Sequence, residues 1–169
     1  MDASEHGFGG VCGNRYFEVS YIQLLDAAND QKLDLFGNMF IAYRELLAAL
    51  FAFHVFSNIA PASFIRINSD NTNTVGWLNK GRCSKKMGFL LLSAIAYYKY
   101  VGGLRVTAFY IKSSHNTSAD LLSRGQTPRW LKQRGIKMNV NISAILKLVT
   151  NPVLHWKTNK IFGRRPEHV

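Results

Sequence analysis

The stretch Phe64-Ile65-Arg66-Ile67-Asn68-Ser69-Asp70-Asn71 decides the fold class. Its first five residues are rich in β-branched and aromatic side chains, which predicts a strand at 64–68. The strand leads into Asp70, and residues 71–79 predict a short helix that Gly81 ends. A strand that runs into an acidic residue and then a helix is typical of α/β domains, whose ligand sites form at such strand ends.

The residues before this stretch predict a hairpin and a helix. A strand that ends near Val11, a turn at 13–15 and an alternating run at 16–21 form the hairpin. Residues 23–38 are polar and acidic without a clear period, so we predict no regular element there. Apolar side chains recur at helical spacing through residues 43–56, which predicts the first helix.

The residues after this stretch complete an α/β pattern. An apolar helix is predicted at 87–100, followed by two glycines and an alternating strand at 105–112. A loop is expected at 113–118, and another helix begins within 119–123. Strands and helices in this order predict an α/β fold with a mixed β-sheet flanked by helices.

The domain organisation follows from length and composition. A chain of 169 residues suffices for one compact domain, which we expect at residues 1–125. Residues 126–169 are predicted to be a basic C-terminal tail, because nine Lys and Arg and no acidic residue lie between residues 126 and 166. Trp130 and Trp156 lie in this tail and favour contact with nucleic acid or a neighbouring domain over a second folded domain.

The charge is uneven along the chain. The formal net charge is +11, but residues 1–84 carry 6 Lys and Arg against 8 Asp and Glu, whereas residues 85–169 carry 15 against 2. The second half should therefore meet a polyanion, with nucleic acid as the leading candidate. An anionic membrane surface or a solvated basic face without a partner are the alternatives.

The sequence lacks both a metal-binding or disulfide cysteine pattern and an apolar stretch of membrane-spanning length. Cys12 and Cys83 are two lone thiols without a metal-binding or disulfide pattern, so we expect an intracellular protein, cytoplasmic or nuclear. The apolar stretches at 46–56 and 87–101 are shorter than the roughly 20 residues that a membrane helix requires. No membrane partner is therefore expected.

Four acidic residues stand in positions that a solvated surface would not single out. Asp2 belongs to the opening strand, Glu45 lies in an apolar helix, Asp70 follows a strand and Asp120 starts a helix. Four carboxylates at one sheet edge would repel one another, so a cation must hold them, and hard oxygen ligands indicate magnesium or manganese. Each alone could instead be a helix-cap or first-turn residue.

Motifs around these acids carry a family resemblance. In chain order they are Asp2-Ala3-Ser4 followed by Gly7-Phe8-Gly9-Gly10, then Arg44-Glu45-Leu46-Leu47-Ala48, then Ser69-Asp70-Asn71-Thr72, then His115-Asn116-Thr117-Ser118-Ala119-Asp120-Leu121-Leu122-Ser123-Arg124. Together they resemble the ribonuclease H domain of retroelement reverse transcriptases, in particular of DIRS-type retrotransposons. The ribonuclease H of hepadnavirus polymerases is similar too. The resemblance runs from Asp2 to near Trp130.

The resemblance implies a fold, a reaction and a partner domain. The fold would be ribonuclease H-like, and the chain would be a metal-dependent endonuclease that cleaves the RNA strand of RNA–DNA hybrids. It would work as part of a reverse transcriptase with an upstream polymerase domain. Such hydrolases use two magnesium ions, for which manganese can substitute, one to activate a water and one to stabilise the leaving 3′ oxygen.

The resemblance also implies roles for particular residues. Its metal-binding positions match Asp2, Glu45, Asp70 and Asp120. His115 corresponds to a histidine that assists proton transfer or product release in many family members, although the short loop here leaves an orienting or structural role open.

Contacts to a hybrid need short polar groups near the cut and cations along both backbones. Asn71, Thr72 and Asn73 suit the first task, although a helix-cap cluster is the alternative. The candidate cations are Lys80, Arg82, Lys85, Lys86 and Arg124.

Two rival functions share the fold class. A non-catalytic ribonuclease H-like remnant could serve as a structural or nucleic-acid-binding module. A transposase-like nuclease would cut DNA, but such sites take their Glu last, whereas Glu45 lies between the first two Asp residues. Only Met1 precedes Asp2, so we expect the first strand to be truncated and the chain to be poorly active as it stands.

Overall fold

The computed structural model describes residues 1–33, 39–57 and 64–151, which form an α/β protein with a mixed sheet flanked by helices. The strands are β1 (Asp2–Ala3), β2 (Gly7–Cys12), β3 (Arg15–Ser20), β4 (Phe64–Ser69), β5 (Arg105–Tyr110) and β6 (Ile136–Lys137). The helices are α1 (Tyr21–Asp30), α2 (Ile41–Phe56), α3 (Thr72–Lys80), α4 (Lys86–Val101), α5 (Thr117–Ser123), α6 (Arg129–Arg134) and α7 (Ile142–Thr150).

The strands form two sheets that meet near the chain start. The larger sheet has the order β1-β2-β3-β6, antiparallel except for the parallel pair of β3 and β6. The smaller sheet is the parallel pair of β4 and β5. The Met1 nitrogen donates to the Asn68 carbonyl at 3.3 Å, which brings β1 beside β4. Asp2 of β1 and Asp70, the residue after β4, converge at this meeting point.

The core fixes α2 against the inner face of the larger sheet. Phe51 of α2 packs edge-on against Phe8 of β2 and Phe17 of β3, with ring centroids 5.1 and 6.3 Å apart. Such edge-to-face contacts add to the stabilisation from burial of the rings. Because α2 is buried along most of its length, Glu45 is carried into the interior with it.

Helix α5 packs against the outer face of the larger sheet at Gly9 of β2. A Cβ added at Gly9 would lie 2.5 Å from the Leu122 Cβ and 2.6 Å from the Ala119 carbonyl oxygen. Only a residue without a side chain lets α5 approach β2 this closely. The close approach brings the end of α5 against β1 and β2.

Residues 23–38 were expected to lack regular structure, and this prediction was wrong for the first part. Ser20 and Gln23 form a capping box in which each side chain accepts from the other residue's backbone N–H, and this starts α1. Leu24 and Ala28 are buried on one side of the helix. Residues 34–38 of the same stretch lie outside the described residues.

The expected tail from residue 126 is not a tail over residues 126–151. The strand β6 joins the larger sheet beside β3, and Leu131 of α6 is buried. Helix α7 buries Ile145, Leu146, Leu148 and Val149 in the main core. Its apolar face, rather than the basic composition, determines where the segment lies. Residues 152–169, including Trp156, lie outside the described residues.

The other predicted elements agree with the structure to within a few residues. These are the hairpin with its turn at Gly13, the helices at 43–56, 71–79 and 87–100, and the strands at 64–68 and 105–112. Gly81 ends α3 in the left-handed conformation that glycine favours, as predicted. Within the described ranges, no helix combines the length and apolar character needed to cross a bilayer.

Candidate metal centre

Three of the four singled-out acids meet where the two sheets converge. One carboxylate oxygen from each of Asp2, Glu45 and Asp70 lies within 4.8 Å of the other two. Asp2 comes from β1, Glu45 from the first turns of α2, and Asp70 from the residue after β4. These residues are far apart in sequence, so the fold itself brings them together. We call this group the carboxylate triad.

Glu45 is the most buried member of the triad, with 3% of its surface exposed. Its Oε1 accepts from the Ala3 backbone N–H at 2.9 Å, and its Oε2 accepts from the Ser69 hydroxyl at 3.4 Å. Burial and the nearby charge of Asp2 raise the pKa of Glu45 to about 8, despite the bond from Ala3. This shift favours the protonated form of Glu45 over the charged form.

Asp2 is held by two side chains of the segment that follows β5. The Ser123 hydroxyl donates to Asp2 Oδ2 at 2.9 Å, and the Asn116 amide donates to Oδ1 at 3.2 Å. Burial raises the pKa of Asp2 to about 6, with the bond from Ser123 opposing the shift and the charge of Asp70 adding to it. The donors orient the carboxylate but do not offset its desolvation.

Asp70 is the more accessible member of the triad and is half-buried at the start of α3. The loop that carries it is fixed on both sides. The Asn71 N–H donates to the Ser69 hydroxyl at 3.1 Å, and the Asn71 side chain caps α3 by accepting from the Thr74 N–H at 3.1 Å. The cap sets the direction of the chain that leaves β4.

The triad fits a hard divalent cation. Three carboxylates supply only oxygen ligands, the set that magnesium and manganese prefer. Around an octahedral magnesium ion adjacent ligands are about 3 Å apart and opposite ligands about 4 Å apart, so the triad oxygens, within 4.8 Å of one another, would draw closer to bind one ion. The raised pKa values of Asp2 and Glu45 reflect the cost of burying these carboxylates close to one another.

Asp120, the fourth expected ligand, lies outside the triad. Its Oδ1 accepts from the Arg124 guanidinium at 2.9 Å, and the two side chains are 41% and 50% exposed. Its charge still raises the pKa of Asp2 slightly, so it stands near the triad. The i,i+4 pair within one turn of helix directs Asp120 toward Arg124.

His115 ends a short 3-10 helix (Ser113–His115) and is exposed. The next residue, Asn116, is buried and holds Asp2. The sequence had drawn attention to His115, whereas Asn116 and Ser123 are the residues that contact the triad. Both polar side chains lie in the motif around Asp120, and Ser123 falls on the buried side of α5, which is the signal that could have identified it.

Seven of the eight predicted nucleic-acid contacts lie at the start of α3 or around the turn that follows it, and the eighth, Arg124, is paired with Asp120. Thr72 and Asn73 are exposed in the first turn of α3, directly after Asp70. Asn71 is half-buried and serves as the cap of α3, as the alternative prediction had it. The cations Lys80, Arg82, Lys85 and Lys86 are exposed around the turn between α3 and α4.

No protein-family model, curated protein or solved structure matches this chain. The carboxylate triad and the residues around it are therefore the features of this chain that bear on its function.

Proposed function

We propose that this chain is a metal-dependent ribonuclease H, an endonuclease with a ribonuclease H-like fold that cleaves the RNA strand of RNA–DNA hybrids within a reverse transcriptase. The observation that carries the proposal is the carboxylate triad, with its oxygens within 4.8 Å of one another. A buried acidic group of this kind is costly without a cation, so a structural role alone does not account for it.

The residues around the triad would hold its carboxylates for a divalent ion. Magnesium bound there would supply a Lewis acid and an activated water for phosphodiester hydrolysis. Glu45 is fixed by the Ala3 N–H, and Asp2 by Ser123 and Asn116. Hydrogen-bond donors of this kind would fix the orientation of the carboxylates toward the ion. Asp70, the accessible member, would face the substrate.

The surroundings of the triad suit a nucleic-acid duplex with one RNA strand. Thr72 and Asn73 offer exposed hydroxyl and amide groups next to Asp70, where 2′ hydroxyls of an RNA strand could bind. The exposed cations between α3 and α4 would contact backbone phosphates without regard to sequence. This combination favours a hybrid over a purely DNA substrate.

A second candidate function is favoured by one observation. Asp120 is paired with Arg124 and lies outside the triad, so the four-acid set that the resemblance implies is not assembled. A ribonuclease H-like module that binds nucleic acid without cutting it would tolerate this arrangement.

Cleavage of labelled substrates distinguishes the two functions. The chain is incubated with a hybrid labelled on its RNA strand and with DNA and RNA duplexes of the same sequence, in magnesium, in manganese and in EDTA. We expect metal-dependent cleavage of the hybrid RNA strand alone. Asp30→Asn, which neutralises an exposed acid at the end of α1, serves as the matched control and should cleave as the parent does.

Binding without cleavage in either metal would favour the non-catalytic module. Cleavage of DNA duplexes at the same rate as hybrids would instead contradict the substrate class. Cleavage that persists in EDTA would contradict the proposed role of the triad.

A further inference from the structure

A cleft of about 420 Å³ lies between the two sheets, beyond Met1 and in line with β1. Its sides are the edge of β2 at residues 10–12 and the edge of β4 at residues 64–68. Phe53 and Phe56 of α2 line it, and so do Ser118 and Ala119 of α5.

The two helices cover opposite faces of this cleft. Tyr16 and Phe17 are neighbours on β3 and so point to opposite faces of the sheet. Phe17 packs against Phe51 of α2, whereas Tyr16 clusters with Leu122 of α5. The cleft is therefore a slot bounded by two strand edges and closed above and below by helices.

The β2 edge presents unpaired backbone groups to the slot. Alternate residues of an antiparallel strand turn their N–H and C=O groups to opposite sides. His6 accepts from the backbone N–H at the start of α1, on the β3 side, whereas Gly7 accepts from the Ser4 N–H, on the β1 side. Gly9 and Val11 therefore also face the β1 side. The pairing with β1 ends at Gly9, so both backbone groups of Val11 face the slot, without a backbone partner among the described residues.

The β4 edge presents the complementary groups. Ser69 accepts from the Ile111 N–H on the β5 side, whereas Asn68 accepts from the Met1 nitrogen on the β1 side. By the same alternation Arg66 faces the slot. In the part of the chain that the structure describes, the Asn68 N–H and both backbone groups of Arg66 have no backbone partner.

We propose that this slot takes an extended peptide strand that lies in line with β1, antiparallel to β2 and parallel to β4. The first residue of such a strand beyond Met1 would exchange two hydrogen bonds with Val11. The second would accept from the Asn68 N–H and donate to the Arg66 C=O. The two strand edges are separated by the width of one strand, and each presents backbone donors and acceptors to the slot. A polypeptide in extended conformation carries donors and acceptors at the same spacing along both of its sides, so it can pair with both edges.

The faces of the slot specify the side chains of the occupant. A strand covered by helices on both faces is apolar throughout. Asp2 points toward α5 and contacts Ser123. The first added residue lies two positions before Asp2, so its side chain would point to the same face of the sheet. It would face Ala119 and should be small. The second would face Phe53 and Phe56 and should be larger, such as valine or isoleucine.

The test joins a five-residue apolar segment ahead of Met1, with valine at the second added position. The matched control carries proline there, which cannot donate to the Arg66 C=O. We expect the valine form to raise the thermal midpoint by at least about 4 °C over the proline form. Amide exchange at Val11 and Asn68 should slow at least about tenfold, whereas Gly10, which faces β3, should not change.

A second experiment adds the free pentapeptide to the 169-residue chain and measures exchange at the same amides. This experiment tests the proposal even if the extended chain fails to fold. Equal midpoints and unchanged exchange at Val11 in both experiments would overturn the proposal. Protection of Val11 that rises with protein concentration, together with a dimer in sedimentation velocity, would assign the slot to a second copy and would also overturn it. Neither experiment depends on hydrolysis, so the result is independent of the nuclease proposal.

Discussion

The carboxylate triad and Asp120 differ in how the negative charge of their carboxylates is compensated. In the triad, burial raises the pKa of Asp2 to about 6 and of Glu45 to about 8. Asp120 is 41% exposed and is paired with an arginine on its own helix. The buried group therefore needs a proton or a cation from outside, whereas Asp120 is compensated within the chain. Metal dependence should lie in the triad.

The largest expected difference between the two regions is in catalysis. Asp70→Asn removes a ligand of the proposed ion and should lower hybrid cleavage by more than about 100-fold, since even the loss of a group that only orients a ligand costs up to about that factor. Hybrid binding should persist, because the phosphate contacts lie elsewhere. Asp120→Asn should lose less activity. Single-turnover cleavage and binding of the two variants measure this, and an equal loss in both would remove the distinction.

The pH dependence of stability should follow the triad. A carboxyl group whose pKa is raised on folding contributes stability that is present below its ordinary value of 4.5 and is lost as pH rises through its folded value of about 8. The metal-free protein should therefore lose stability between about pH 4.5 and 8. The loss should be a few kcal/mol, since each pKa unit is worth about 1.4 kcal/mol.

Urea unfolding in EDTA across this range measures the effect. Glu45→Gln should flatten the fall, and saturating magnesium should restore the parent protein at pH 8. Stability that rises between pH 4.5 and 8 in EDTA would contradict the burial of Glu45 in an acidic group.

The residue that orients the triad should matter more than the one that pairs with Asp120. Ser123→Ala removes the donor to Asp2 Oδ2 and should cost about 1–3 kcal/mol of folding free energy. Arg124→Ala breaks an exposed ion pair and should cost less than about 1 kcal/mol. Urea unfolding of both variants measures this. The opposite order would mean that Asp120 is the better-ordered acid.

The smallest expected effect concerns the exposed cations, which lie outside both acidic regions. Lys85→Gln together with Lys86→Gln should weaken binding to hybrid, DNA and RNA duplexes alike. Each lost phosphate contact should lower the slope of log affinity against log salt by about 0.9 for duplex DNA. Fluorescence anisotropy over a salt series measures the slope, and an unchanged slope would limit these lysines to a role in solubility.

The sequence predicted those elements whose periodicity is local and strong. Strand β4 and helices α2, α3 and α4 follow directly from runs of apolar residues and from Gly81. Helix α1 was missed because its start depends on the capping box of Ser20 with Gln23 and few of its residues are buried. Helix α7 was missed because the segment was interpreted from its net positive charge rather than from the helical spacing of its apolar residues.

The candidate site was predictable in part for the same reason. Asp2, Glu45 and Asp70 were selected by their positions in strands and helices, and the fold brings them together. Asp120 is instead paired with Arg124 on its own helix. The motif around Asp120 is compatible with either a metal ligand or this ion pair, so the sequence alone did not decide between them. The bond from Ser123 to Asp2 joins residues 121 positions apart and depends on the close approach of α5 to β2.

Metal binding by the 169-residue chain tests whether the carboxylate triad holds a divalent ion. Isothermal titration with magnesium and manganese at pH 7.5 would compare the parent protein with Asp70→Asn and Asp120→Asn. We predict binding to the parent, at least a tenfold loss of affinity in Asp70→Asn and a smaller change in Asp120→Asn, with proton release on binding because Glu45 must ionise. Absence of binding to the parent, or equal affinity in the parent and Asp70→Asn, would mean that the carboxylate triad is not a metal site.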